Sequence, residues 1–183
     1  MRSLSTSGLS VTDAYRFADA HCWYAAYTHP RHEKAVAEQL KCKDIEVFCP
    51  TVAVVSKWKD RKVRLQTPLF PGYVFAMIYL SQTGTVLSTP GVIRILSSRG
   101  CPIPIPIAEI EAVRRCTAEP ARIERHPVLE NGIRVRVRCG PLAGLEGTVA
   151  RQSKPCKVVI SIAAIHQAVA LELDDDCLEP VFN

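Results

Sequence analysis

Eight cysteines and five histidines are the side chains of this 183-residue chain best suited to ligate a metal or act as nucleophiles. Their spacing supports neither use. The cysteines stand at positions 22, 42, 49, 101, 116, 139, 156 and 177, no two within five residues, so no C-x-x-C half-site for zinc exists. Several lie in apolar runs such as Val47-Phe48-Cys49-Pro50, where a thiol serves as a small hydrophobe. Most are therefore expected as reduced core or surface thiols. His21, His29, His32, His126 and His166 are dispersed, and none falls in a Ser, Cys or acid nucleophile pattern. His29 and His32, three apart, could share a metal, but a solvated helix turn accounts for them and two ligands do not close a site. There is no Gly-rich phosphate loop. The expectation is a non-enzyme with no catalytic residue, cofactor or metal.

Binding of a polyanion is the chemistry the sequence does support. Residues 1–118 hold 15 Lys+Arg against 9 Asp+Glu, whereas residues 119–183 hold 8 against 9. The basic surplus thus lies in the N-terminal two thirds. It is densest in Lys57-Trp58-Lys59-Asp60-Arg61-Lys62-Val63-Arg64. These basic residues read either as a solvated loop or as phosphate contacts, with Trp58 able to stack on an unpaired base. Apolar recognition is the second possibility. Two prolines hold Pro68-Leu69-Phe70-Pro71 extended before Gly72, and Tyr73 and Phe75 then share one strand face. Tyr27 can join them if its strand is a neighbour. The set is either core or, in part, an exposed groove for a partner helix.

The positioning elements follow from pattern and punctuation. Residues 1–20 are Ser/Thr-rich and read as a flexible extension. No apolar segment among them suits a secretory signal, and no stretch suits a bilayer span. The Cys22–Tyr27 run is strand-like; Thr28 offers an N-cap and a helix is expected over about 30–42. Strand-like pieces at 45–50 and 52–55 precede the basic run, which reads as a hairpin tip. Strands follow at 72–78 and 92–96, after a Ser88-Thr89-Pro90-Gly91 turn, and a second helix at 108–114. Residues 118–130 are charged and Pro-punctuated, a linker composition. Beyond it, four or five short strands with Gly140-Pro141, Gly144 and Gly147 corners suit a small barrel. The fold class is α+β, an α/β sandwich with an antiparallel sheet followed by a small SH3-like β-barrel.

At this point a family resemblance is specific. Trp23-Tyr24-x-x-Tyr27, the following helix, Pro68 to Phe75, and Thr89-Pro90-Gly91-Val92 resemble the NGN domain of NusG-family proteins in order and spacing. Val135 to Val149 resembles a KOW motif. The implied layout is an NGN domain over 21–117, a linker over 118–130 and a KOW domain over 131–183. The resemblance implies a monomeric, cytoplasmic transcription elongation or antitermination factor that reduces pausing or termination, without a membrane partner. Tyr27, Phe70, Tyr73 and Phe75 would then grip the clamp helices of the largest catalytic RNA polymerase subunit. His29, Arg31, His32, Ser88 and Thr89, with Lys57, Lys59, Arg61, Lys62 and Arg64, would lie near the non-template DNA strand, in weak or non-specific contact. The KOW module would recruit a ribosomal small-subunit protein or Rho, through Ile162, Ile165 and His166. The stretch Ser161-Ile162-Ala163-Ala164-Ile165-His166-Gln167 departs from the loop of the housekeeping factor, which favours a specialised paralog of the RfaH and UpxY kind. The alternative is a KOW-type ribosomal or structured-RNA-binding protein, which would carry its basic charge on the barrel.

Overall fold

The computed structural model describes residues 20–58, 61–117, 123–126, 132–140, 142–149, 156–173 and 175–181. The expected N-terminal extension lies outside them except for Ala20, as do parts of the expected linker. In chain order the elements are β1 (Cys22–Thr28), α1 (Glu33–Lys41), β2 (Glu46–Phe48), β3 (Thr51–Trp58), β4 (Arg61–Pro68) and β5 (Tyr73–Ile78). Then come α2 (Thr83–Leu87), β6 (Val92–Ile95), β7 (Ser97–Ser98), β8 (Cys101–Pro102) and α3 (Ile107–Thr117). The C-terminal part holds β9 (Ile123–His126), β10 (Ile133–Val137), β11 (Glu146–Val149), β12 (Cys156–Ile162), β13 (Gln167–Leu173) and β14 (Leu178–Pro180). The chain divides into two compact units. One comprises the described residues up to Phe48 plus Gly72–Ile105; the other comprises Cys49–Pro71 plus those from Pro106 onward.

The first unit is built on a four-stranded antiparallel sheet in the order β2-β5-β1-β6. Tyr24, Ala25, Ala26, Val74, Phe75 and Ile78 are all buried in β1 and β5. Helix α1 presents Glu33, Val36, Ala37 and Leu40 to the interior, the i, i+3, i+4, i+7 stripe of an amphipathic helix. Its C-terminus is closed by Asp44 in a left-handed conformation (φ 57°), with the Ile45 N–H donating to the Leu40 carbonyl at 3.2 Å. Thr28, expected as the N-cap, is instead the buried last residue of β1. The cap position falls on His32, because a turn through Pro30 and Arg31 intervenes.

The second unit contains the β3–β4 hairpin, α3 and a six-stranded antiparallel sheet in the order β14-β10-β11-β12-β13-β9. Its core is aliphatic: Val135, Val137, Leu145, Val158, Ile160, Val169 and Leu171 are all buried. In β13 the run Ala168-Val169-Ala170-Leu171 is buried without alternation, so both faces of that strand are covered. Residues 123–126, expected within the linker, form strand β9 along β13, from Ile123↔Leu171 to Ala168↔His126. A single buried apolar residue, Ile123, anchors that strand, and one apolar residue in a charged run leaves no periodicity to read. The α+β class is as expected, with an antiparallel sheet under helices and then a β-rich module.

Cys139 and Cys177 are joined as a disulfide, with Cα atoms 5.5 Å apart. This departs from the expectation of reduced thiols for these two. They are 38 residues apart, and only the pairing of β14 on β10 brings them together. Cys22, Cys42, Cys101 and Cys116 are free thiols, and burial pushes the Cys116 thiol up to about 12.

Candidate functional site

The aromatic residues singled out from the sequence separate into core and surface. The β1–β5 register sets Tyr27 opposite Tyr73 and Ala25 opposite Phe75, so all four project from one face. Along that face burial changes. Phe75 is fully buried beside Phe48, with ring centroids 6.1 Å apart. Tyr27 and Tyr73, at the strand ends, are half-exposed, and their rings lie 5.3 Å apart and tilted by 57°. Phe70 is buried, in the second unit. Two of the four expected contact residues, Phe70 and Phe75, are thus interior. They are withdrawn from solvent because the apolar run that suggested a groove is mostly used up in packing.

Arg94, which sequence reasoning did not select, completes the surface. The β1–β6 register pairs it with Tyr27, and its guanidinium lies 5.5 Å from the Tyr27 ring centroid, within cation–π range. Its only sequence signal is a polar residue at an alternate position of the Val92-Ile93-Arg94-Ile95 strand. Gly72 explains how Tyr27 is seated. It adopts φ +79°, and a Cβ there would stand 3.1 Å from Tyr27 Cε2. The Gly72 carbonyl accepts from the Thr28 N–H at 2.8 Å, and its N–H donates to Glu33 Oε1 at 2.8 Å. The buried Glu33 carboxylate therefore ties the start of α1 to the turn before β5, where the helix dipole also favours an acid. The result is a rigid, half-exposed pair of tyrosines under an arginine.

A second cluster lies at the start of α1. His29, Arg31 and His32 are exposed, with the two imidazole centroids 5.8 Å apart, and Arg31 is held at φ 66°. The turn 88–91 packs beside them: the His29 N–H donates to the Gly91 carbonyl at 2.9 Å, and a Cβ at Gly91 would stand 3.3 Å from His32 Cβ. Ser88 is exposed there. Thr89 is not available as a contact. It is 1% exposed, its hydroxyl donating to the Thr85 carbonyl at 3.0 Å and accepting from Lys43 Nζ at 2.7 Å, so it terminates α2.

The basic run forms the end of the β3–β4 ladder, with Lys57 opposite Lys62, Trp58 opposite Arg61 and Val55 opposite Arg64. Lys59 lies outside the described residues, as do the side chains from 55 to 64. At the other end of the hairpin, Arg125 of β9 donates through Nε to the Leu69 carbonyl at 3.1 Å and through NH2 to the Pro68 carbonyl. An arginine from the expected linker thus clamps the hairpin base, a link that sequence could not reveal.

In the β12–β13 turn, Ile162 and Ile165 are buried at 0% and 6% exposure, so neither is a surface contact. His166 is exposed and left-handed (φ 49°), next to exposed Ala163 and Ser161. The Ala163 N–H donates to Glu109 Oε2 of α3 at 3.1 Å. Burial raises the Glu109 carboxyl above its ordinary value, and this hydrogen bond opposes the shift. An open cavity of about 630 Å³ beside α3 is lined by Glu109, Glu111, Arg115, Arg134, Glu146 and Ser161, three acids against two bases. Among the described residues no group of three or more His, Cys, Asp or Glu is assembled to hold a metal. Nor is any described helix long and apolar enough to cross a membrane.

Comparison with known proteins adds to this geometry. Residues 21–114, just over half of the chain, match the family model described as "Transcription termination factor nusG". The chain is 27% identical over 180 residues to the transcription termination/antitermination protein NusG of Deinococcus radiodurans, an alignment covering 83% of this chain and 95% of that protein. The protein of the same name from Borreliella burgdorferi is 24% identical over 185 residues, covering 88% of this chain and 100% of that one. Among solved structures, Thermotoga maritima NusG matches with a TM-score of 0.50 at 24% identity, over 90% of this chain and 99% of that one, a likeness of fold.

Proposed function

The chain belongs to the NusG family, and on that premise we propose that it is a transcription termination/antitermination factor that binds RNA polymerase through the Tyr27–Tyr73–Arg94 surface. The partner on polymerase is the pair of clamp helices of the largest catalytic subunit. A helix laid against two half-exposed tyrosines would bury aromatic area at little entropic cost, and Arg94 would face the helix's acidic side chains. The observation that carries this reading is the graded burial of one sheet face, closed at Phe75 and open at Tyr27 and Tyr73.

His29, Arg31, His32 and Ser88 supply a polar surface suited to the non-template DNA strand, joined by the basic hairpin. Such contacts would be salt-dependent and sequence-tolerant. Functionally, we divide the chain into an NGN domain over 21–117, a connecting segment over 118–130 and a KOW domain over 131–183. The KOW domain recruits a ribosomal small-subunit protein or Rho through Ser161, Ala163 and His166, the exposed residues of its altered turn. That altered turn favours a specialised paralog over a housekeeping factor, and the same reading takes the chain as cytoplasmic and monomeric. The structured-RNA alternative is not favoured, because Arg134 and Arg136 of β10 are engaged by Glu146, and Arg136 and Arg138 by Glu179.

Pull-down of core polymerase by the tagged full chain tests the proposal. Tyr27→Ala with Tyr73→Ala should reduce capture by about 100-fold, the scale of a hot-spot pair. Arg94→Ala should reduce it less. Undiminished capture by a double variant with unchanged melting would overturn the assignment.

A further inference from the structure

The cysteines are the chemical feature that polymerase binding leaves unused, and the second unit joins two of them. Cys139 follows β10 and Cys177 precedes β14, directly beyond the Val137↔Leu178 rung. We propose that Cys139 and Cys177 form a reversible thiol–disulfide site, with a low-molecular-weight disulfide as its oxidant, that controls whether β14 is held on the sheet. The inference does not depend on the polymerase reading.

Three observations support it. First, the bond is accessible: Cys139 is exposed and Cys177 half-buried. Accessible disulfides are the ones that exchange with small thiols, whereas structural ones are shielded. Second, β14 has little else to hold it. Among the described residues it is a three-residue edge strand paired with β10 alone, and Pro180 brings no N–H to the ladder. Beyond those rungs it keeps the bond from the Arg138 N–H to the Cys177 carbonyl at 2.7 Å and that from the Val181 N–H to the Arg134 carbonyl at 2.9 Å. Glu179 adds two ion pairs at 3.9 Å, both at the surface where such pairs contribute little. Third, the cross-link closes a loop over a 38-residue separation containing β11, β12 and β13, so its loss frees a large segment of chain.

The step balances without a metal or cofactor. The more accessible Cys139 thiolate attacks one sulfur of RSSR, forming a protein–S–S–R mixed disulfide and releasing RS⁻. The Cys177 thiolate then attacks the Cys139 sulfur and expels the second RS⁻. Two protein thiols give up two protons and two electrons, and RSSR is reduced to two RSH. Excess RSH reverses the sequence, beginning at the exposed Cys139 sulfur.

The full chain, equilibrated against graded ratios of oxidised to reduced glutathione, provides the test. Peptide mass analysis after thiol alkylation reports the Cys139–Cys177 link, and amide hydrogen exchange reports β14. The link should rise and fall reversibly with the ratio, and reduction should speed exchange at the Arg138 and Val181 amides by about tenfold or more. Cys139→Ser and Cys177→Ser should each exchange like the reduced chain at every ratio. If either variant fails to fold, the reduced wild type supplies the same comparison. A link that never forms with oxidised glutathione, that resists excess thiol, or whose reduction leaves both amides unchanged would overturn the proposal.

Discussion

The four-stranded and the six-stranded sheets are both antiparallel, yet they are filled with different side chains. The first buries Trp23, Tyr24 and Phe75 and leaves Tyr27 and Tyr73 half-exposed at one end. The second sheet contains no Phe, Tyr or Trp among its strands and is filled by Val, Ile, Leu and Ala. An aromatic ring that exceeds its share of core emerges as a large, stiff contact surface, so one strand can serve packing and recognition together. Short aliphatic chains offer no such overhang. The second sheet instead carries its distinctive chemistry at its rim: a disulfide, a clamp arginine and a row of arginines paired with glutamates. An exposed aromatic pair thus marks the first unit, and cross-links at the sheet rim mark the second.

Core truncations should strain this comparison most. Phe75→Ala should destabilise the chain by about 3–5 kcal/mol, and Leu171→Ala by about 2–5 kcal/mol, each read as a shift in the urea midpoint. If Phe75→Ala costs no more than Tyr73→Ala, the division of that face into core and surface fails. Gly72→Ala comes next, with an expected loss of about 1–3 kcal/mol from the positive φ and the crowding of Tyr27. It should also weaken polymerase capture, and a normal midpoint with normal capture would show that Tyr27 is not seated by this glycine.

Glu109→Gln isolates a smaller, pH-dependent effect. Burial raises the Glu109 carboxyl above its ordinary 4.5, so the folded chain prefers its protonated form. The stability it contributes is complete below the ordinary value and is lost as pH rises through the folded one. Thermal melting of wild type relative to the Gln variant should therefore decline across that interval and stay level above it. A difference that instead grew with pH would mean that the Ala163 hydrogen bond outweighs burial. Arg136→Ala should move melting least, since this exposed arginine bonds Glu146 at the surface. A shift as large as that of Leu171→Ala would promote the ion-pair row to a structural element.

The sequence was informative where local chemistry decides. The α1 stripe, the strand after Gly72, a reversal at the basic run and strands β10 to β13 were legible from periodicity and punctuation, whereas the return strand β4 and the edge strand β14 were not. Helix α2 was not, because Thr83-Gly84-Thr85-Val86-Leu87 is a poor helix sequence. Tertiary bonds hold it, through Lys43 to Thr89 and Thr85 and through the Thr89 hydroxyl. The site divided in the same way. Strand alternation set Tyr73 and Phe75 on one face, but the pairing of Tyr27 with Tyr73 and the burial of Phe70, Phe75, Ile162 and Ile165 depend on neighbours far away in sequence. Arg94 over Tyr27, Arg125 on the hairpin base and the Cys139–Cys177 bond were hidden for the same reason.

The strand order of the second sheet also bears on the time course of folding. Strands β10 to β13 follow one another as sequential hairpins, and β12–β13 pairs over seven rungs across a single short turn. Local closure of that kind completes in microseconds. The two edges come from opposite ends of the segment, β9 from before the meander and β14 from after it. Each must close a longer loop, so both dock after the centre has formed. During synthesis β9 leaves the ribosome before its partner β13 exists. It then waits unpaired until almost the whole module has emerged.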